Sequence, residues 1–252
     1  SFATRAAAQY AAASYVVLNE DMEEDYLNLE RIFQAYHQEA INMERKTGWS
    51  IWKIAQNGDT SYEVGSYPDY VILEQFSSKE QMNEEFVRYN EDFESIKVLM
   101  KKNLKGKYTG KQIDKILGQA PKKEVRTYIH ERVASTPLTG GDIKPGDVMV
   151  VHALQQISED YEQFETEFWK NVFANNVMKG NHRFWGLSRI IDRNEAAYEM
   201  PTHNSWNMFI DEKKWDNLKM PDDFVSKKMF EITGATRKMY TPQELTCVFT
   251  AQ

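Results

Sequence analysis

The stretch DYLNLERIFQAYHQEAINM, residues 25–43, returns in altered form as DYEQFETEFWKNVFANNVM, residues 160–178, an offset of 160 − 25 = 135. Asp25/Asp160, Tyr26/Tyr161, Glu30/Glu165, Phe33/Phe168 and Met43/Met178 match outright, and Leu29 is answered by Phe164. In the first copy Leu29, Phe33, Tyr36, Ala40 and Met43 recur at spacings of three and four, which predicts an amphipathic helix. Tyr161, Phe164, Phe168, Val172 and Met178 predict its counterpart. The acidic run NEDMEED, residues 19–25, suits the positive end of a helix dipole. Ser158 offers the second helix an N-cap.

What surrounds the two helices repeats as well. A short apolar strand precedes each, SYVVLN (14–19) and DVMVVHAL (147–154). Two strands follow each, GWSIWKIAQ (48–56) and DYVILEQF (69–76), then HRFWGLSRII (182–191) and NSWNMFID (204–211). The first of these pairs flanks a polar loop with Asn57, Gly58 and Asp59. Helical stretches come next, at 78–102 and 222–233, and each half closes on a strand, KEVRTYIHERV (123–133) and ELTCVFTA (244–251). The order β-α-β-β-α-β is the ferredoxin-like unit, written twice. The reading is an α+β chain with an N-terminal arm (1–13), repeat 1 (14–133), a Pro/Gly-rich linker (134–146) and repeat 2 (147–252). The Ala-rich arm is read either as a processed signal remnant, or as a short helix or extended segment. Repeat 1 carries extra sequence at about 104–121.

A four-stranded ferredoxin-like sheet covers one face with its helices and leaves the other bare, a large apolar surface to expose. Packing the two bare faces together closes a barrel of about eight strands, which is either filled by side chains or holds one small ligand. In this arrangement the chain resembles the dimeric α/β barrels in fused, tandem form. That superfamily includes antibiotic-biosynthesis-type monooxygenases, haem-degrading monooxygenases and chlorite-dismutase-like proteins. YHQEAINMERKTGWSIWKI (36–54) followed by YPDYVILEQFSS (67–78) also resembles uncharacterised exported bacterial proteins of this fold, which implies an exported location. The resemblance implies a cavity for a small aromatic or tetrapyrrole ligand. Haem is thus a possible cofactor, but no motif supports it. The haem-degrading members pair an Asn and a Trp on strands with a His on the second helix, and 78–102 and 222–233 contain no His. No catalytic residue carries over.

Composition narrows the rest. A net charge of −7 argues against a general nucleic-acid binder. No apolar run reaches the ~20 residues of a membrane-spanning helix. The one cysteine, Cys247, forms no internal disulfide and alternates with Leu245 and Phe249, so it is expected buried and inert. The five histidines show no metal-ligand spacing.

Strand alternation sorts the candidate ligand-binding residues. Val125, Thr127, Ile129 and Val133 share one face of their strand; Arg126, Tyr128, His130 and Arg132 share the other, which looks into a closed barrel. On the neighbouring strand, Val148, Val150 and His152 are read as inward, with Asn19 from the first strand. Trp49 and Trp52, three apart on a strand, face opposite sides; one of them, with Tyr70, Trp185 or Trp206, supplies an aromatic wall. The candidate site is therefore Asn19, Arg126, Tyr128, His130, His152, Trp49, Trp52 and Tyr70, for a planar or anionic small molecule. His37 is read as structural, and His182 and His203 as exposed strand starts. Two functions follow: a small-molecule-binding or oxidoreductase-type protein with its ligand inside the barrel, or a structural subunit of a cell-surface or secreted assembly with a solid barrel. For the second, the arm and the lysine-rich Lys101–Lys123 region are the docking surfaces, toward other copies or an assembly partner.

Overall fold

The computed structural model describes residues 8–56, 60, 62 and 64–252. The first seven residues of the arm and Asn57, Gly58 and Asp59 of the first loop lie outside the described residues. Strand β1 (Tyr10–Leu18) begins earlier than expected and takes in Ala11, Ala12 and Ala13. Alanine favours helices, but here it is paired on both sides, to β3 (Tyr70–Phe76) and to β4 (Lys122–Ser135). Partner strands outweigh the local preference.

With β2 (Gly48–Ile54), the first repeat has the order β4-β1-β3-β2. Strands β5 (Val148–Gln156), β6 (Phe184–Arg193), β7 (His203–Met208) and β9 (Gln243–Ala251) repeat it as β6-β7-β5-β9. The short β8 (Arg237–Met239) continues the pairing along β5. The halves join through hydrogen-bonded edges, β4 to β6 and β2 to β9, all antiparallel. An edge strand carries a row of unpaired N–H and C=O groups, and closing the barrel removes every such edge. The chain is thus two ferredoxin-like repeats forming one closed eight-stranded barrel.

Helices clothe the outside. Helix α1 (Glu23–Asn42) buries Tyr26, Leu29, Ile32, Tyr36 and Ala40. The stretch 78–102 is broken at Asp92 into α2 (Lys79–Glu91) and α3 (Phe93–Asn103). The extra sequence of repeat 1 forms α4 (Gly110–Leu117), started by a Thr109/Gln112 capping box. Its Ile113 packs with Ile96 and Met100 of α3 against Ile32, Tyr36 and Ala40 of α1. The insertion is a second layer over α1. Lys105, Lys107, Lys111 and Lys115 face outward from it, and Lys101 pairs with Asp114 at 2.8 Å.

In repeat 2 the counterpart of α1 is interrupted. It runs as α5 (Tyr161–Gln163), a π-helical turn (Phe164–Trp169) and α6 (Lys170–Met178). Ser158 does not cap it through its side chain; the hydroxyl donates to Asp160 Oδ1 at 2.7 Å instead. Phe173 stacks on Trp185 of β6, with ring centroids 5.4 Å apart. Helix α7 (Phe224–Thr236) completes the layer. Among the described residues, no helix is long and apolar enough to cross a membrane.

Candidate functional site

Side chains of alternate residues point into the barrel, and they fill only part of it. Around Ala13, Tyr15, Ile54, Val71, Tyr128, Val151 and Leu245 the interior is packed. Tyr15 and Tyr128 meet edge to face at 5.8 Å. Beyond that plug, toward the starts of β1, β2 and β6 and the ends of β4 and β7, lies a cavity of about 600 Å³. A barrel filled along its whole length, the alternative expectation, is not supported. Cys247 belongs to the interior core and is 3% exposed; burial and the nearby Asp147 push its thiol up to about 12.

The cavity wall is aromatic and apolar, with Trp52, Leu73, Met149, Phe184, Trp206 and Met208. Its polar groups converge on one side. Trp206 Nε1 donates to Ser188 Oγ at 2.9 Å, and Ser188 Oγ lies 2.8 Å from His130 Nδ1. Indole N–H can only donate, so Ser188 accepts from Trp206. Among the described residues His130 is its other partner, and the arrangement that uses every group sends the hydroxyl proton to His130 Nδ1. The imidazole hydrogen then resides on Nε2. That atom is buried and has no partner. Burial, with Arg193 and His203 adding to it, pushes His130 down to about 3, so the ring is neutral. The result is a neutral imidazole lining the cavity, held by a Trp–Ser relay, with its Nε2 closed over by neighbouring atoms and without a partner among the described residues. Trp52 is fixed in the same way, its Nε1 donating to Ser50 Oγ at 2.7 Å.

The expected site residues separate into three groups. His130 and Trp52 line the cavity. Tyr128 and Arg126 share the inward face of β4 but stand toward the packed end. Tyr128 belongs to the plug, and Arg126, 1% exposed, is bonded to Glu124 and lies 4.9 Å from the Tyr198 ring centroid. Six residues of strand, about 20 Å at ~3.3 Å each, separate Arg126 from Arg132. The third group lies outside the barrel.

His152 is a correction. Met149 and Val151 point inward on β5, so Val150 and His152 point outward, and the His152 ring is 5.9 Å from Trp215. Burial and Arg237 push it down to about 4. Both faces of 148–154 are apolar, so alternation alone did not say which one turns in. Asn19 is also displaced. It lies past the end of β1, and its amide donates to the Ala120 carbonyl at 2.9 Å. Tyr70 faces outward under α1, its hydroxyl donating to Glu23 at 2.6 Å. Trp49 stacks on His37 at 4.7 Å on the helix side, while also bordering the cavity. His182 and His203, expected exposed, are buried; His182 bonds Asn207 and His203 bonds Glu162. The 161–178 helical segment covers this outer face. Ser188, whose position between His130 and Trp206 makes the relay, was missed. Only the cross-strand pairing of β4 with β6 reveals it.

A second polar region lies between the sheet of repeat 1 and its helices, around a smaller space of about 230 Å³. The fully buried Lys46 ammonium contacts Glu74 at 2.6 Å, His37 Nδ1 at 2.9 Å and Glu85 at 3.4 Å. A lysine only donates, so His37 carries its hydrogen on Nε2 and gives it to the Tyr89 hydroxyl at 3.2 Å. Burial and the Lys46 charge hold His37 well below the usual histidine value, consistent with its expected structural role. The matched positions Glu30 and Glu165 are both buried carboxylates beside a cation, Lys122 at 3.0 Å and Arg237 respectively. Burial raises both above the usual carboxylate value. Among the described residues no cluster of His, Cys, Asp and Glu could hold a metal ion.

No protein-family model matches the sequence, and no curated protein does. Solved structures match the fold. A "putative monooxygenase" from Lactobacillus acidophilus NCFM superposes with a TM-score of 0.60 at 12% identity, over 98% of this chain and 97% of that one. Another of the same description, from Fusobacterium nucleatum subsp. nucleatum ATCC 25586, gives 0.59 at 10% identity, over 98% and 95%. Both alignments run end to end, through both repeats and the closed barrel. The chain therefore shares the fold of these two structures, with two ferredoxin-like repeats closed into one eight-stranded barrel.

Proposed function

We propose that this protein binds a small, planar, oxygen-bearing organic molecule in the open end of its barrel. The observation that carries this reading is the aromatic-walled cavity of about 600 Å³, lined by His130, whose Nε2 has no partner among the described residues. An unsatisfied buried polar atom costs about 1–3 kcal/mol, and a ligand oxygen that reaches His130 Nε2 through a small shift of the wall relieves that cost. Indole walls from Trp52 and Trp206 favour a flat partner. The volume lies within the usual range for small-molecule sites, ~300–1,000 Å³.

Oxidoreductase chemistry would act on the bound organic molecule itself. The names of the two fold-mates make oxygen consumption the assay to run on any ligand recovered.

The test is native mass spectrometry and ligand titration of the wild-type protein and two single variants. His130→Ala is expected to lose at least tenfold in affinity, while the melting temperature stays within a few degrees. His152→Ala, on the outer face, is expected to leave affinity unchanged. Unaltered binding in His130→Ala would overturn the reading.

A further inference from the structure

Two residues beyond His130, on the same inward face of β4, the cavity wall carries a cation with no side-chain partner among the described residues. The backbone of Arg132 is engaged: its N–H donates to the Gln9 carbonyl at 2.8 Å, and its C=O accepts from Gln9 Nε2 at 3.1 Å. Its guanidinium makes no hydrogen bond or ion pair among the described residues. The other arginines of the barrel wall are held. Arg126 is bonded to Glu124, Arg183 to Asp147, Arg189 to Glu162, and Arg193 to the carbonyls of Tyr198 and Pro201. Asp142, the one acidic side chain bordering the cavity among the described residues, forms no ion pair with Arg132 there. Arg132 is half-buried, and burial draws its pKa below the usual arginine value.

A cation withdrawn from water without a partner is costly, and the cost falls when an anion arrives. Guanidinium forms two parallel bonds to a carboxylate, so an organic acid is the anion it fits best. The spacing adds a constraint. Residues two apart on a strand stand about 7 Å apart, roughly the span of one aromatic ring with its substituents at opposite ends. Building on the cavity reading above, we infer that the ligand is an aromatic carboxylate, its acid group on Arg132 and a second oxygen on His130 Nε2.

Two probes that differ only in charge test this, 4-hydroxybenzoate and 4-hydroxybenzamide, titrated against the intact protein by calorimetry and tryptophan quenching. The benzoate is expected to bind at least tenfold tighter than the amide. In Arg132→Gln that advantage should vanish, with amide binding unchanged; Arg132→Lys should keep part of it. Equal binding of both probes to the wild type would overturn the carboxylate assignment while leaving the cavity reading intact. Binding of neither probe would sink both. Should Arg132→Gln fail to fold, the wild-type comparison and Arg132→Lys still decide.

Discussion

His130 illustrates what burial does to a single residue in this chain. Withdrawn from water, it is neutral, and its tautomer is set by a hydroxyl that an indole orients. The other four histidines are also held below their ordinary values, each mainly by burial. That has a consequence for stability. Between the unfolded value near ~6.5 and the depressed folded value, the unfolded chain binds protons that the native state refuses. Stability therefore falls as pH drops through that window, by up to about 1.4 kcal/mol per pH unit for each fully neutral histidine. Glu30 and Glu165, raised by burial, act in the opposite sense at lower pH. Urea midpoints should decline between about pH 7 and pH 5, ahead of general carboxylate protonation. A flat profile there would mean that the histidines ionise freely in the native protein.

Among the elements, α1 is tied to its neighbours by a buried charged network. Lys46, just beyond its end, ties Glu74 of β3 to His37 of α1 and Glu85 of α2. Glu85 is further held by Tyr36 and Arg88. Lys46→Met would strip the cation from two carboxylates and leave His37 Nδ1 without a donor. Breaking a buried pair from one side costs about 3–5 kcal/mol, and a loss of about that size is expected in urea denaturation. Lys101→Met, whose pair with Asp114 is largely exposed, should cost less than about 1 kcal/mol. Equal effects would show that the buried network contributes nothing special. The amphipathic periods of 25–43 and 160–178 were legible as helices because a 3.6-residue repeat encodes one face. The π turn over Phe164–Trp169 and the break at Asp92 were not.

For the whole molecule, closure through β4–β6 and β2–β9 means that neither repeat is complete alone. Residues 1–140 expressed separately would expose two strand edges and the inner wall, and so would 141–252. Each is expected to self-associate or precipitate, and the two expressed together should give a soluble complex, readable by light scattering. A soluble, monomeric half would contradict this account of the fold. The duplication, the strand and helix order and the inward face of β4 could all be read from the sequence by itself. On β4 the polar set Arg126, Tyr128, His130 and Arg132 alternates with an apolar set, so local periodicity sorted it. Only the tertiary structure decided that His152 points outward, that the barrel is plugged around Tyr15 and Tyr128 yet open around Trp52 and Trp206, and that Ser188 orients His130. Periodicity records which residues share a face. Which face turns inward, and what meets it there, depends on strands paired from opposite halves of the chain.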